Sequence, residues 1–254
     1  NTTIIRSSSG QGKSTLAWLT SLKLKLKGFT IYELNYCKEK DNVASLFDFI
    51  KSRVLIGQLP IIVIDGLNNI VSEYQELIYL TANLPVKFLI TTRQIDWYRY
   101  GLDLSKTSTQ ITDISLSINE AKKIFSELKK RNKLHHSVID WQSNWEAIGA
   151  KGLLIEYVYL LTKGEMISNR LNQQIKELNL EKDSNTKLEI LRLIAIADIL
   201  NLKVKSIQLI NYVKENIGFA TDRGEVLKQL EKEYYLRFDD EFIEGLHPVR
   251  SQHL

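Results

Sequence analysis

The run Ser7-Ser8-Ser9-Gly10-Gln11-Gly12-Lys13-Ser14-Thr15 lies between an apolar pair, Ile4-Ile5, and an amphipathic helical stretch, Leu16 to Lys27. Strand, glycine loop and helix in this order make a phosphate cradle. Gly10 and Gly12 let the backbone turn its N–H groups inward, where a side chain would block a phosphate. The backbone from Ser9 through Thr15 supplies the donors, and the helix N-terminus adds a partial positive charge. Lys13 is placed to reach β- and γ-phosphates, and the Ser14 hydroxyl to ligate Mg²⁺. The expected ligands are therefore ATP or ADP with Mg²⁺. The usual spacing opens on a glycine, and Ser7 stands at that position.

Two further stretches carry chemistry. Ile61-Ile62-Val63-Ile64-Asp65-Gly66 reads as a central strand buried on both faces, ending in an aspartate where open α/β sheets bind ligands. Beside a phosphate loop, Asp65 would hold Mg²⁺ directly or through water, giving a metal pair with Ser14. Phe88-Leu89-Ile90-Thr91-Thr92-Arg93 places an arginine just past a strand end. Arg93 is either a sensor reaching a γ-phosphate with its planar donors or a surface arginine in a loop. Hydrolysis needs a residue to orient water. After Asp65 no carboxylate follows until Glu73, and Asn68 is a poor base, so nucleotide is expected to be held more than turned over.

The elements that must position these residues follow from periodicity. Residues 1–115 alternate apolar runs (Thr3–Arg6, Thr30–Leu34, Pro60–Asp65, Lys87–Thr91, Gln110–Ser115) with helical stretches (Ser14–Lys27, Asn42–Ile56, Val71–Ala82). That is an α/β fold with a five-stranded parallel sheet of the P-loop NTPase kind. Residues 116–182 read as a helical domain, opened by Ser117 as a cap with Glu120 three residues on, and with Trp141 and Trp145 as core anchors. Residues 183–254 give three helices and then a hairpin, Tyr234–Phe238 with Glu241–Leu246, a winged-helix pattern.

Composition narrows the classes. One cysteine, Cys37, excludes an internal disulfide framework and fits a reducing, cytoplasmic setting. No apolar run has the length of a membrane span. A net charge of +4 does not by itself argue for nucleic acid. From Asp183 to Leu254 there are ten Lys/Arg against twelve Asp/Glu, and the would-be recognition stretch Arg223–Glu233 is neutral, which argues against DNA binding by this module. The start at Asn1, almost inside a strand, reads as a segment of a larger protein.

Together, Gly10-Gln11-Gly12-Lys13-Ser14-Thr15, Ile61–Asp65 and Thr91-Thr92-Arg93 resemble the STAND class of P-loop ATPases. These NB-ARC and NACHT-type switch ATPases include plant disease-resistance proteins and apoptosome proteins. The resemblance implies an ADP-locked closed state that opens to an ATP-bound, homo-oligomerising state. It implies that a turn near Gly152 packs by the adenine, although the proline usual there is absent. It also implies that His247 contacts the β-phosphate of ADP. The Gly152–Thr162 stretch with Leu246-His247-Pro248-Val249-Arg250-Ser251 resembles bacterial antiviral STAND proteins of the Avs type. Those flank the ATPase with an effector domain and a sensor domain, and the activating ligand is a phage protein. The rival readings are a STAND-like transcriptional regulator that binds DNA, a conventional P-loop motor, and a nucleotide-stabilised scaffold without a switch.

Overall fold

A computed structural model describes residues 1–34, 40–67, 72–103, 105, 107–149, 152–239 and 241–254, with backbone alone at 40 and 41. Cys37 and Asn68 lie outside the described residues. The chain forms two compact units. The first comprises Asn1–Ser117 with Leu153–Ile155, the second Ile118–Gly152 with Glu156–Leu254.

In the first unit the strands are β1 (Thr2–Ser7), β2 (Thr30–Glu33), β3 (Pro60–Leu67), β4 (Lys87–Arg93) and β5 (Thr109–Asp113). They form one parallel sheet in the order β2-β3-β4-β1-β5. This order seats β4 between β1 and β3. The end of β4 therefore lies between the phosphate loop after β1 and the aspartate ending β3. The register of β3 against β4 runs regularly to Ile64–Ile90 and then shifts before Leu67–Thr92. Gly66 sits in that irregularity at φ 81°, a conformation L side chains rarely adopt, and Asp65 beside it is exposed after five buried strand residues.

Both sheet faces are covered, which explains the unbroken apolar run of β3. Helices α2 (Lys40–Leu55) and α3 (Ser72–Leu80) bury Val43, Ile50, Leu77 and Ile78 against Ile4, Ile62, Ile64, Phe88 and Ile90. On the other face, α1 (Lys13–Lys25) meets Ile5, Ile61, Val63 and Leu89 through Ala17, with Leu24 partly buried. Here the amphipathic reading needs correction. The contacts of α1 with the sheet run through small residues, Ala17 and Ser21, whose hydroxyl donates to the Ala17 carbonyl at 2.8 Å. Leu16, Leu19, Leu22 and Leu26 are exposed. Small residues let the helix lie close to the sheet, and these four leucines, unlike Leu24, are left to solvent. A fourth helix, α4 (Gln94–Tyr100), starts directly after Arg93, where no helix was expected.

The second unit opens with α5 (Ile118–Lys130), which starts immediately after Ser117 as expected, and α6 (Trp141–Ile148). Helix α7 (Leu154–Lys163) begins in the first unit and continues here. Trp141 and Trp145 are half-buried rather than core anchors. The buried aromatic is Tyr157, edge-to-face on Trp145 with centroids 6.1 Å apart and its hydroxyl 3.4 Å from the carbonyls of Ala121 and Trp141. After α8 (Ile167–Leu178) come α9 (Ser184–Leu200), β6 (Val204–Lys205), α10 (Ser206–Asn216), α11 (Arg223–Lys232), β7 (Leu236–Asp239) and β8 (Phe242–Gly245). The three strands form an antiparallel sheet in the order β6-β8-β7. One core joins Leu178, Ile190, Leu191, Ile194, Leu209, Val213, Leu230 and Ile243. A short α12 (Pro248–Ser251) closes the chain.

Candidate functional site

The phosphate loop leaves β1 at the buried Ser7 and enters α1 at Lys13. Gly10 and Gly12 stand at φ 78° and 79°, so both turns of the loop depend on glycine. Gly12 is the N-cap of α1 and offers no side-chain acceptor, and the first turn has no acidic residue. The first-turn N–H groups thus lack a side-chain cap and the helix carries no acid of its own there, the arrangement that suits an anion. The Lys13 ammonium curls back over the loop, donating to the Ser8 carbonyl at 2.9 Å and the Ser7 carbonyl at 3.4 Å.

Burial pushes the Lys13 pKa down to about 8, and the nearby Arg93 charge pushes the same way. Asp65 and Asp96 offset this in part. A half-buried cation beside a second cation is stabilised by an arriving anion, which raises its pKa again. A consequence follows for metal-free ATP or ADP. Below about pH 8 Lys13 is protonated before the ligand arrives, and affinity is flat. Above it the ligand must draw a proton onto Lys13, so affinity falls and binding takes up protons. Calorimetry at pH 7 and pH 9, in buffers of different ionisation enthalpy, measures both. Equal affinity and no proton uptake at pH 9 would show that Lys13 makes no ion pair with the ligand.

Asp65 and Ser14 come together across 51 positions of sequence. The Ser14 hydroxyl donates to Asp65 Oδ1 at 2.9 Å. The same Oδ1 accepts from the Thr91 hydroxyl, which in turn accepts the Gly66 N–H at 2.8 Å. Thr91 is buried at the end of β4 and pins the carboxylate at the irregularity in β3. The donor set fits Mg²⁺. Both groups are hard oxygens, and neighbouring ligands of an octahedral ion with bonds near 2.1 Å are themselves about 2.9 Å apart. Ser14 and Asp65 would hold the ion, with nucleotide oxygens and water completing its shell.

Arg93 is not a solvated loop arginine. Its side chain is 15% exposed and bonds the buried Asp96 carboxylate through Nε at 2.6 Å and Nη2 at 3.3 Å. Asp96, in the first turn of α4, fixes the guanidinium plane beside the phosphate loop. Sequence reasoning missed Asp96, although its three-residue spacing from Arg93 was visible. It also missed Thr91, whose partners sit on another strand.

A third contact could not be read locally. The Ile155 N–H donates to the Gly10 carbonyl at 3.0 Å, and the Leu154 N–H to the Gln11 side-chain oxygen at 3.3 Å. A Cβ on Gly12 would lie 3.2 Å from Leu154 Cδ2, a second reason for glycine there. The residues just after Gly152 therefore brace the phosphate loop. His247 belongs to the second unit and caps α12, with Nδ1 accepting the Val249 N–H at 3.1 Å. Acceptance at Nδ1 leaves the ring hydrogen of the neutral imidazole on Nε2.

No protein-family model and no curated protein matches the chain. Among solved structures it is similar to a Walker-type ATPase of Pyrococcus abyssi, at 13% identity and TM-score 0.39, over 99% of this chain and 90% of that one. It is similar to a DNA replication initiation factor at 14% identity and TM-score 0.38, over 92% and 82% of the two chains. AMPPCP-bound DnaA from Aquifex aeolicus follows at 15% and 0.37, over 91% and 81%. Likenesses at this level carry no functional information. The chain's own parallel sheet, glycine loop between β1 and α1, and aspartate at the end of β3 make an α/β fold of the P-loop NTPase kind.

Proposed function

We propose that this chain is the ATP- or ADP-binding switch module of a STAND-type signalling protein. The observation that carries the nucleotide part is the acid-free, uncapped start of α1, with half-buried Lys13 beside the Ser14–Asp65–Thr91 cluster. Loop N–H groups and Lys13 hold the β- and γ-phosphates. Ser14 and Asp65 hold Mg²⁺, which when bound neutralises phosphate charge. Arg93, oriented by Asp96, reports on the γ-phosphate. His247 donates from Nε2 to the β-phosphate of ADP and ties the closed state. Exchange for ATP favours an open form that oligomerises. In an Avs-type protein, flanking effector and sensor domains and a phage-protein ligand would complete the pathway. Turnover is slow, below about 1 s⁻¹, because Asn68 is a poor base and no carboxylate follows Asp65 closely.

The second unit supports a winged helix that serves protein contacts rather than DNA. Its order α9-β6-α10-α11-β7-β8 is the winged-helix order read in the sequence, with a short extra strand. Its sheet lysines and arginine are already paired: Lys203 with Asp239 and Glu244, Lys205 with Glu241, Arg237 with Glu244. Paired cations release few counterions from a phosphate backbone.

The test is the small molecule released when purified protein is denatured. Stoichiometric ADP supports the locked switch, and an empty site counts against it. His247→Ala should speed ADP exchange by about tenfold or more, the loss of one charge-assisted bond. Unchanged exchange would leave a nucleotide-stabilised scaffold.

A further inference from the structure

Helix α1 presents its apolar side to solvent. Ala17, Ser21 and Leu24 face the sheet, while Leu19 is 54% exposed, Leu22 56% and Leu26 81%. Leu26 is the C-cap and keeps helical dihedrals, φ −65° and ψ −17°. Thr15, Leu19, Leu22 and Leu26 are spaced four, three and four residues apart. This is the spacing of a coiled-coil seam, running about 16 Å along the crest opposite the sheet.

The flanks of the seam carry one sign of charge. Lys23 and Lys25 occupy the two positions beside the Leu22–Leu26 half, where helix pairs place their interhelical charges. Lys27 adds to them, and Leu16 and Trp18, both exposed, flank the other half. From Asn1 the first acidic residue in the chain is Glu33. Among the described residues no ion pair engages Lys23, Lys25 or Lys27.

We infer that the crest of α1 is a docking ridge for an amphipathic helix of a partner protein, with an apolar seam flanked by Glu or Asp. Charge selects this occupant. A second copy of the ridge would set Lys23 and Lys25 against Leu16 and Trp18 and could offer them no carboxylate, since the chain has no acidic residue before Glu33. The four-three-four spacing fits the a and d positions of a second helix and sets Lys23 and Lys25 at its charge-bearing flanks, which favours a helix as the occupant. The inference is independent of the nucleotide assignment, because it uses the outer side of α1 only.

A fluorescently labelled helical peptide with Leu at the seam and Glu on both flanks serves as the probe, and its twin with Lys flanks as the control. Anisotropy titration of the full chain should give a roughly micromolar dissociation constant for the Glu peptide, in the range of a small transient interface. The Lys peptide should bind at least tenfold more weakly. Leu19→Ser with Leu22→Ser should cost more than tenfold, with an unchanged circular-dichroism melt because both positions are exposed. Lys23→Glu with Lys25→Glu should invert the preference between the two peptides. Equal binding of both peptides, or binding that survives the serine changes, overturns the inference. So does seam-dependent recruitment to phosphatidylserine-containing vesicles in place of peptide binding, or seam-dependent dimerisation.

Discussion

Lys13→Ala should lower ATP and ADP affinity by about a hundredfold or more. The ammonium would give at least two charge-assisted bonds to phosphate oxygens, each worth about 1.5–3 kcal/mol. At 1.4 kcal/mol per tenfold, their loss removes roughly two orders of magnitude. The same change should not harm the unliganded fold. Burial and the neighbouring Arg93 both disfavour the Lys13 charge, so its removal relieves a cost in the free site. The expected pattern is an unchanged or raised melting temperature without nucleotide and no nucleotide carried through purification. Lys13→Arg should not restore binding, because a planar guanidinium cannot repeat the tight return to the Ser7 and Ser8 carbonyls. A Lys13→Ala protein that still retains stoichiometric nucleotide would remove the phosphate-loop assignment.

The second large effect lies at Asp65 and the threonine behind it. Asp65→Asn should cut the gain in nucleotide affinity on adding Mg²⁺ by about tenfold or more, since it removes the charged donor to the ion. Metal-free affinity should hold or rise, because a negative charge near the phosphates has gone. Thr91→Val separates support from ligation. It keeps the side-chain shape but leaves the Gly66 N–H without its acceptor and Asp65 Oδ1 with one donor fewer. The buried change should cost about 1–3 kcal/mol of stability and weaken the Mg²⁺ response without abolishing it. Thr91→Ser should restore both. Titration of a fluorescent nucleotide with Mg²⁺ and with EDTA, alongside denaturant melts, reads these effects. An Asp65→Asn protein with a full Mg²⁺ response would place the metal elsewhere.

Much of the first unit was legible because its signals are local. Two glycines that must take positive φ, an apolar run buried on both faces and an aspartate at its end are properties of short segments. They fixed the strands to within a few residues and located the loop. The helices and hairpin strands of the second unit were legible for the same reason, while the two-residue β6 was too short to leave a periodic signal.

What the sequence left open depends on surfaces meeting. The leucines of α1 look like a core face, and only packing against the sheet shows that Ala17 and Ser21 occupy that face. Thr91 reads as one more β-branched strand residue until sheet order sets β4 beside β3 and turns its hydroxyl onto Asp65. Gln11 and Leu154 stand 143 positions apart, and no periodicity links them. His247 stands before a proline, and the folded backbone makes it the cap of a short helix. By itself the sequence determined that this chain has a phosphate loop and a parallel sheet to carry it, because backbone freedom and strand burial are written residue by residue. Tertiary structure alone decided which hydroxyl pins the Asp65 carboxylate, what braces the loop and which face of α1 meets water, because those contacts are set by strand order and close packing between distant segments.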